Sequence, residues 1–106
     1  MNLKGSLPLL ILHVLAEKPR HGYQIAQIIK VKSSGVLDFK EGTLYPALHN
    51  LEQQKYIDGF SETEKGRVRR YYRLNTKGRA VLTQELTEWQ NYAAAVNRVL
   101  KGGFSA

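Results

Sequence analysis

Apolar residues crowd the first part of the chain, where "LPLLILHVLA" (Leu7 to Ala16) is broken by His13 alone. Ser6 can cap a helix over this stretch, with Pro8 in its first turn, where a missing N–H is harmless. A helix of about Ser6 to Glu17 without a polar stripe must be buried on more than one face, by its own core and by a second chain. "EKPRHG" breaks it, because Pro19 biases Lys18 away from helical geometry. "YQIAQIIKVK" then reads as a second helix with Tyr23, Ile25 or Ala26, and Ile29 inward, ended by "SSG" with Gly35 as its C-terminal cap. A short extended piece, "VLDF", leads into "GTLYPALHNLEQQKYI". There Leu44, Leu48, Leu51 and Lys55 recur at steps of four, three and four, so one helical face is built to be covered. The opposite face carries Thr43, Pro46, Asn50 and Gln53, which are small, neutral and able to hydrogen-bond. A merely solvated face would carry more charge.

After Gln54 the period changes from helical to alternating. "YIDGFSE" and "VRRYYRL" are rich in aromatic and β-branched residues and flank the turn signal "TEKG", which predicts a β-hairpin with an exposed basic tip from Lys65 to Arg69. Thr76 is expected to cap a long last helix. Its apolar residues Leu82, Leu86, Trp89, Ala93, Val96 and Leu100 step by 4, 3, 4, 3 and 4, a heptad seam. Tyr92 and Val99 add a second stripe. Three small helices leave little to cover so wide a seam, which therefore reads as a dimer interface.

Charge changes the picture. The chain has 106 residues and a net charge of +7. Counting Lys and Arg against Asp and Glu, residues 1–40 carry six against two, residues 41–64 one against five, and residues 65–106 nine against two. "KGRVRRYYRLNTKGR", Lys65 to Arg79, holds seven cations and no acid. Such a patch with interleaved aromatics is the footprint of a polyanion binder, most often of nucleic acid, and otherwise a solubilising face. The absence of Cys removes disulfides and thiolate chemistry, and points to a reduced, cytoplasmic setting. No apolar run approaches the ~20 residues that span a bilayer, and no signal-peptide cleavage site follows the first one.

Helix, helix, helix and basic hairpin is the order of a winged helix-turn-helix, a mainly α (α+β) fold with a two-stranded wing and a long C-terminal helix. "HGYQIAQ", "GTLYPALHNLE" and "RRYYRLNTKGR" together resemble the PadR family of bacterial transcriptional regulators, from about Leu9 to Leu100. The length is similar to that of its short subfamily, which has a single C-terminal dimerisation helix. The resemblance divides the chain into a DNA-binding domain (1–75), a dimerisation helix (76–101) and a flexible tail (102–106). It implies a homodimeric repressor that binds a near-palindromic operator in double-stranded DNA and is released by a small, often phenolic, ligand. It also makes Gly42 to Leu48 the front of the recognition helix.

On that reading Thr43, Tyr45, Pro46, His49 and Asn50 face DNA, while Lys65, Arg67, Arg69 and Arg70 contact phosphates or the minor groove. Pro46 sits in the first turn or kinks the helix beside Gly42. Either geometry leaves Thr43 and the backbone N–H groups open to a phosphate. Tyr45 lies on the flank of the buried face, as a phosphate contact or as a half-buried tyrosine with a wet hydroxyl. Asn50 stands where many family members carry Arg or Lys, and Lys55 near where many carry Gly. Asn50 could read an adenine edge. Trp89 is either dimer core or the wall of a pocket for a flat aromatic effector.

No metal site is expected, since His13, His21 and His49 lack ligand spacing and acidic neighbours. His21 reads as a helix-start or packing residue. With no phosphate loop, nucleophile elbow or paired buried carboxylates, the sequence predicts neither an enzyme nor a cofactor. The alternative is a winged-helix module that docks a protein through its wing or last helix, which would more often show an exposed apolar patch on the third helix.

Overall fold

The computed structural model describes residues 6–102. Helices α1 (Ser6–Glu17), α2 (Gly22–Lys32) and α3 (Glu41–Gln53) precede a hairpin of β2 (Ile57–Glu64) and β3 (Arg67–Leu74), and α4 (Thr76–Gly102) follows it. A two-residue strand, β1 (Arg20–His21), stands between α1 and α2. The sheet is antiparallel in the order β1-β3-β2. It therefore has three strands where the alternation pattern predicts two. Two residues are too few to show a period, so β1 leaves no trace in the sequence.

The core is made where α1 meets everything else. Ile11, Leu12 and Leu15 pack with Ile25 and Ile29 of α2, Leu44, Leu48 and Leu51 of α3, and Ile57, Tyr72 and Leu74 of the hairpin. Six residues of α1 are buried within the protomer, so much of its apolar character is used without a second chain. His13 and Glu17 are exposed and give α1 the polar stripe that its composition hides. In α2 the inward residues are Ile25 and Ile29. Tyr23 is 63% exposed, contrary to expectation, because it leaves the core to the residue two places on.

Backbone geometry at the element ends explains several choices of residue. Ser34 (φ 54°) and Gly35 (φ 82°) reverse the chain after α2, and the Gly35 N–H returns to the Lys30 carbonyl at 2.8 Å. The α3 helix begins at Glu41, one residue before Gly42, which puts Pro46 in the second turn and inside the helix. Lys55 ends it with φ 65°, the left-handed region where glycine is unstrained. At the hairpin tip Lys65 (φ 51°) and Gly66 (φ 80°) are the two central residues of a tight turn, with both φ angles positive as such turns require.

Thr76 does not cap α4. Asn75 does, its Oδ1 accepting from the Gly78 N–H at 2.8 Å. Its Nδ2 donates to the Lys55 carbonyl at 2.8 Å, and its N–H reaches the Tyr56 carbonyl at 3.3 Å. A Cβ on Gly78 would stand 2.0 Å from that same carbonyl, so α4 can root against the end of α3 only through a glycine. Val81 and Leu82 pack on the core, and the rest of α4 leaves it. Leu86, Tyr92, Val96, Val99 and Leu100 are exposed, with Val99 and Leu100 more than 70% so. The radius of gyration is 16.0 Å, against about 13 Å for a compact chain of this length. Gly102 is still helical, and the remainder of the expected tail lies outside the described residues.

Candidate nucleic-acid interface

Leu44, Leu48 and Leu51 turn one face of α3 into the core. Gly42, Pro46, His49 and Gln53, at steps of four, three and four, fall on the line opposite, and all four are exposed. This ridge carries no Asp, Glu, Lys or Arg. Thr43 and Asn50 are exposed on one side of it and line a depression of about 820 Å³ walled by Pro8, Phe39, Ala47 and Leu51. The five recognition residues expected from the sequence thus share the accessible side of α3, with Thr43 and Asn50 toward α1.

Tyr45 occupies the other flank, 43% exposed. Its ring lies against Gly22, where a Cβ would come within 2.8 Å of the hydroxyl oxygen. The glycine of "HGY" and the tyrosine of "LYP" are therefore two halves of one contact between α2 and α3. The ring packs and the side chain stays accessible, as a half-buried tyrosine with a wet hydroxyl would be.

Gly42 has no such internal reason. Nothing lies within 4 Å of where its Cβ would stand, and its φ is not positive. A helical glycine is about 0.5–1 kcal/mol worse than alanine, so the bare backbone at this point suits something that approaches from outside. No side chain caps the α3 N-terminus, and Glu41 fills its first turn. Beside it Asp38 bridges Lys40 (2.9 Å) and Lys30 (3.7 Å); the Lys40 hydrogen bond, aided by Lys30, holds its carboxyl below the usual carboxylate range.

Packing of α2 against the wing runs through His21. Its Nδ1 accepts from the Gln24 N–H at 3.3 Å while Gln24 Oε1 accepts from the His21 N–H at 3.0 Å, a reciprocal cap of α2. An accepting Nδ1 requires that nitrogen to be unprotonated. Burial, and then the Arg69 charge, push the imidazole below its ordinary value, which keeps it so. The ring meets Tyr71 edge-on at 5.3 Å, and the Tyr71 hydroxyl donates to Glu64 at 2.6 Å. That bond lowers the Glu64 carboxyl and raises the Tyr71 phenol.

The wing is less basic than its second strand suggests. Strand register sets Glu64 opposite Arg67, Glu62 opposite Arg69 and Asp58 opposite Arg73, all on the face away from the core. The hairpin holds five cations against three acids, a net of +2. Counting along the chain put the acids of 41–64 and the cations of 65–79 in separate blocks; folding interleaves them. Lys65 and Arg67 at the tip are exposed, and Arg69 is half-buried. Arg70 points to the other face, where it meets Glu52 of α3. Among the described residues no cluster of three or more His, Asp or Glu could hold a metal, and no helix is long and apolar enough to cross a membrane.

The family described as transcriptional regulator PadR-like matches residues 11–84, well over half of the chain. The chain belongs to the PadR-like family of transcriptional regulators. This PadR-like chain is 33% identical over 93 residues to a transcriptional regulator of Mycobacterium tuberculosis, across 88% of this chain and 84% of that protein. It is similar to a transcriptional regulator structure from Clostridium thermocellum, with a TM-score of 0.84, 31% identity and 92% of each chain covered. A PadR family transcription regulator from Clostridium difficile gives a TM-score of 0.78 at 31% identity, covering 91% of this chain and 99% of that one. The PadR-like fold is a winged helix with a C-terminal helix, and the family consists of transcriptional regulators, not enzymes.

The sequence places His21 at the start of α2 without its reciprocal bond to Gln24, and it misses the Glu52–Arg70 pair. The first had a local signal, Gln24 three residues on. The second is eighteen residues apart and crosses three elements, so no periodicity announces it.

Proposed function

We propose that this PadR-like regulator is a homodimeric, sequence-specific DNA-binding protein of the cytoplasm. It represses transcription from a near-palindromic operator and is released by a small aromatic ligand. The observation that carries DNA binding is the ridge of Gly42, Pro46, His49 and Gln53, free of Asp, Glu, Lys and Arg, with a bare helical glycine at its head. Thr43 and Asn50 beside the ridge are the sources of base readout, and Tyr45 holds a phosphate with its hydroxyl. Lys65 and Arg67, with Arg69 behind them, supply phosphate contacts from the wing. On this reading residues 1–75 bind DNA and residues 76–101 pair the protomers. The seam of Leu86, Trp89, Ala93, Val96 and Leu100 provides the pairing surface, with Leu82 anchoring it to the core. Trp89 lies half-exposed on α4 with its ring tilted against that of Tyr92, centroids 6.0 Å apart, and forms the wall of the effector site.

Binding to the protein's own promoter fragment and to a scrambled duplex, titrated over salt, tests the reading. Operator binding should exceed scrambled binding by at least about 10³-fold. In the same assay Asn50→Ala should cost about 1–3 kcal/mol on the operator and little on the scrambled duplex. Equal affinity for the two duplexes in the unmodified protein would remove sequence-specific binding. Because Trp89 is the chain's single tryptophan, its fluorescence reports directly on any aromatic ligand bound there.

A further inference from the structure

Glu52 sits in the last turns of α3 and Arg70 midway along β3. The Arg70 Nη2 donates to Glu52 Oε2 at 2.5 Å. To make this bond the guanidinium passes over β2 at Gly59. A Cβ at that position would stand 2.4 Å from Nη2 and 2.7 Å from Oε2, so a side chain there would force the tips of both partners to shift. Gly59 is thus reserved for a side chain that is not its own.

An exposed ion pair contributes little and does not require a third residue to make room for it. This one joins three elements. Its place in the wing is also specific. Toward the core, Ile57, Tyr72 and Leu74 are buried; toward the tip, Ser61, Thr63 and Val68 on the same face are all exposed. The pair is where the hairpin's inner face last touches the body of the protein. Tyr72 feels both charges from beneath, and its phenol is raised chiefly by burial and next by Glu52.

We propose that Glu52, Arg70 and Gly59 are positioning residues that fix the angle of the wing to the recognition helix, and that Arg70 is not a phosphate contact. The proposal rests on the DNA-binding reading above. It assigns to Arg70 a role different from that of Lys65 and Arg67, which lie beyond the last anchor and move wherever it puts them.

The sign of one substitution separates positioning from electrostatics. Glu52→Gln removes a negative charge beside the proposed DNA surface. Were charge all that mattered, both operator and scrambled duplex would bind more tightly. Under the proposal, operator affinity falls by about tenfold, while scrambled binding and the salt slope stay the same. Gly59→Ala changes no charge and should give the same split. The swap Glu52→Arg with Arg70→Glu should restore most of the loss. Tighter binding by Glu52→Gln on both duplexes would overturn the proposal. So would a salt slope lowered by about one in Arg70→Gln, the mark of a lost phosphate contact.

Amide hydrogen exchange of the free, full-length protein gives a readout without DNA. Amides of residues 61–68 should exchange several-fold faster in Glu52→Gln and Gly59→Ala, with those of β1 unaffected. Unchanged protection would sink the lock whatever the binding data say. If the unmodified protein binds neither duplex, the DNA-binding reading fails alone, and exchange still decides whether this pair holds the wing.

Discussion

At Gly42 two requirements conflict. The helix would be better served by alanine, and the protein has no internal use for the missing side chain. Gly42→Ala should therefore stabilise the fold by about 0.5–1 kcal/mol. It should also weaken operator binding by about tenfold, the scale of one lost base-pair contact. Thermal melts and binding on the same preparation would check both signs. A second residue-scale expectation concerns acid. The native state holds His21 neutral, with its pKa below the unfolded value of 6.5. Above pH 6.5 both states are neutral there and the group adds no pH dependence. As pH falls below 6.5 the unfolded chain binds a proton that the native chain resists, so stability drops until the native imidazole also titrates. His21→Asn, whose Oδ1 can accept the same bond from Gln24, should flatten that loss between pH 7 and 5 in melts followed by circular dichroism. The sequence made His21 legible as a helix-start residue because the capping signal is local. It left Tyr23 misplaced, since Tyr23 and Ile25 both suit a helical period and only packing chooses between them.

Among the elements, α3 and the hairpin were the most legible, α3 through its leucines at steps of four and three and the hairpin through alternation around Lys65–Gly66. What charge counting misjudged was the wing. A block of cations in sequence becomes one side of a ladder whose other side is acidic, because an antiparallel hairpin folds residue 64 onto residue 67 and residue 58 onto residue 73. Arg70 aside, only Lys65 has no acid across from it, and Glu64, opposite the exposed Arg67, is already taken up by the Tyr71 hydroxyl. Lys65→Gln with Arg67→Gln should lower the salt slope of DNA binding by about 1–2 and weaken operator and scrambled duplexes alike. Arg69→Gln, half-buried and opposite Glu62, should change it less. Equal effects from all three cations, measured by anisotropy over salt, would count against this ranking. Asn75 shows the same limit of local reading. Threonine and asparagine both cap helices, and the carbonyl of Lys55 that favours Asn75 is twenty residues away.

For the whole molecule, the seam on α4 is the feature that the monomer leaves uncovered: apolar and regular, with Leu86, Val96 and Leu100 exposed and Leu82, Trp89 and Ala93 half-buried. Trp89→Asp with Val96→Asp should yield a monomer by sedimentation at micromolar concentration and abolish operator binding with the wing intact. A double variant that stays dimeric would move the interface to α1. The seam itself was readable from spacing, and so was its excess over what three small helices can cover. The root of α4 was not.

That root has a consequence for register on DNA. Asn75 and Gly78 fasten α4 to the end of α3 with no slack between them. α4 has 27 residues and so a length of about 40 Å. A tilt of about 5° along such a rod displaces its far end by about 3.5 Å, close to one base-pair step. In the proposed dimer, half-site spacing is then an angular quantity, set where the two rods cross. A ligand wedged beside Trp89 could put the second protomer a whole base pair out of frame, while every residue that touches DNA keeps its shape.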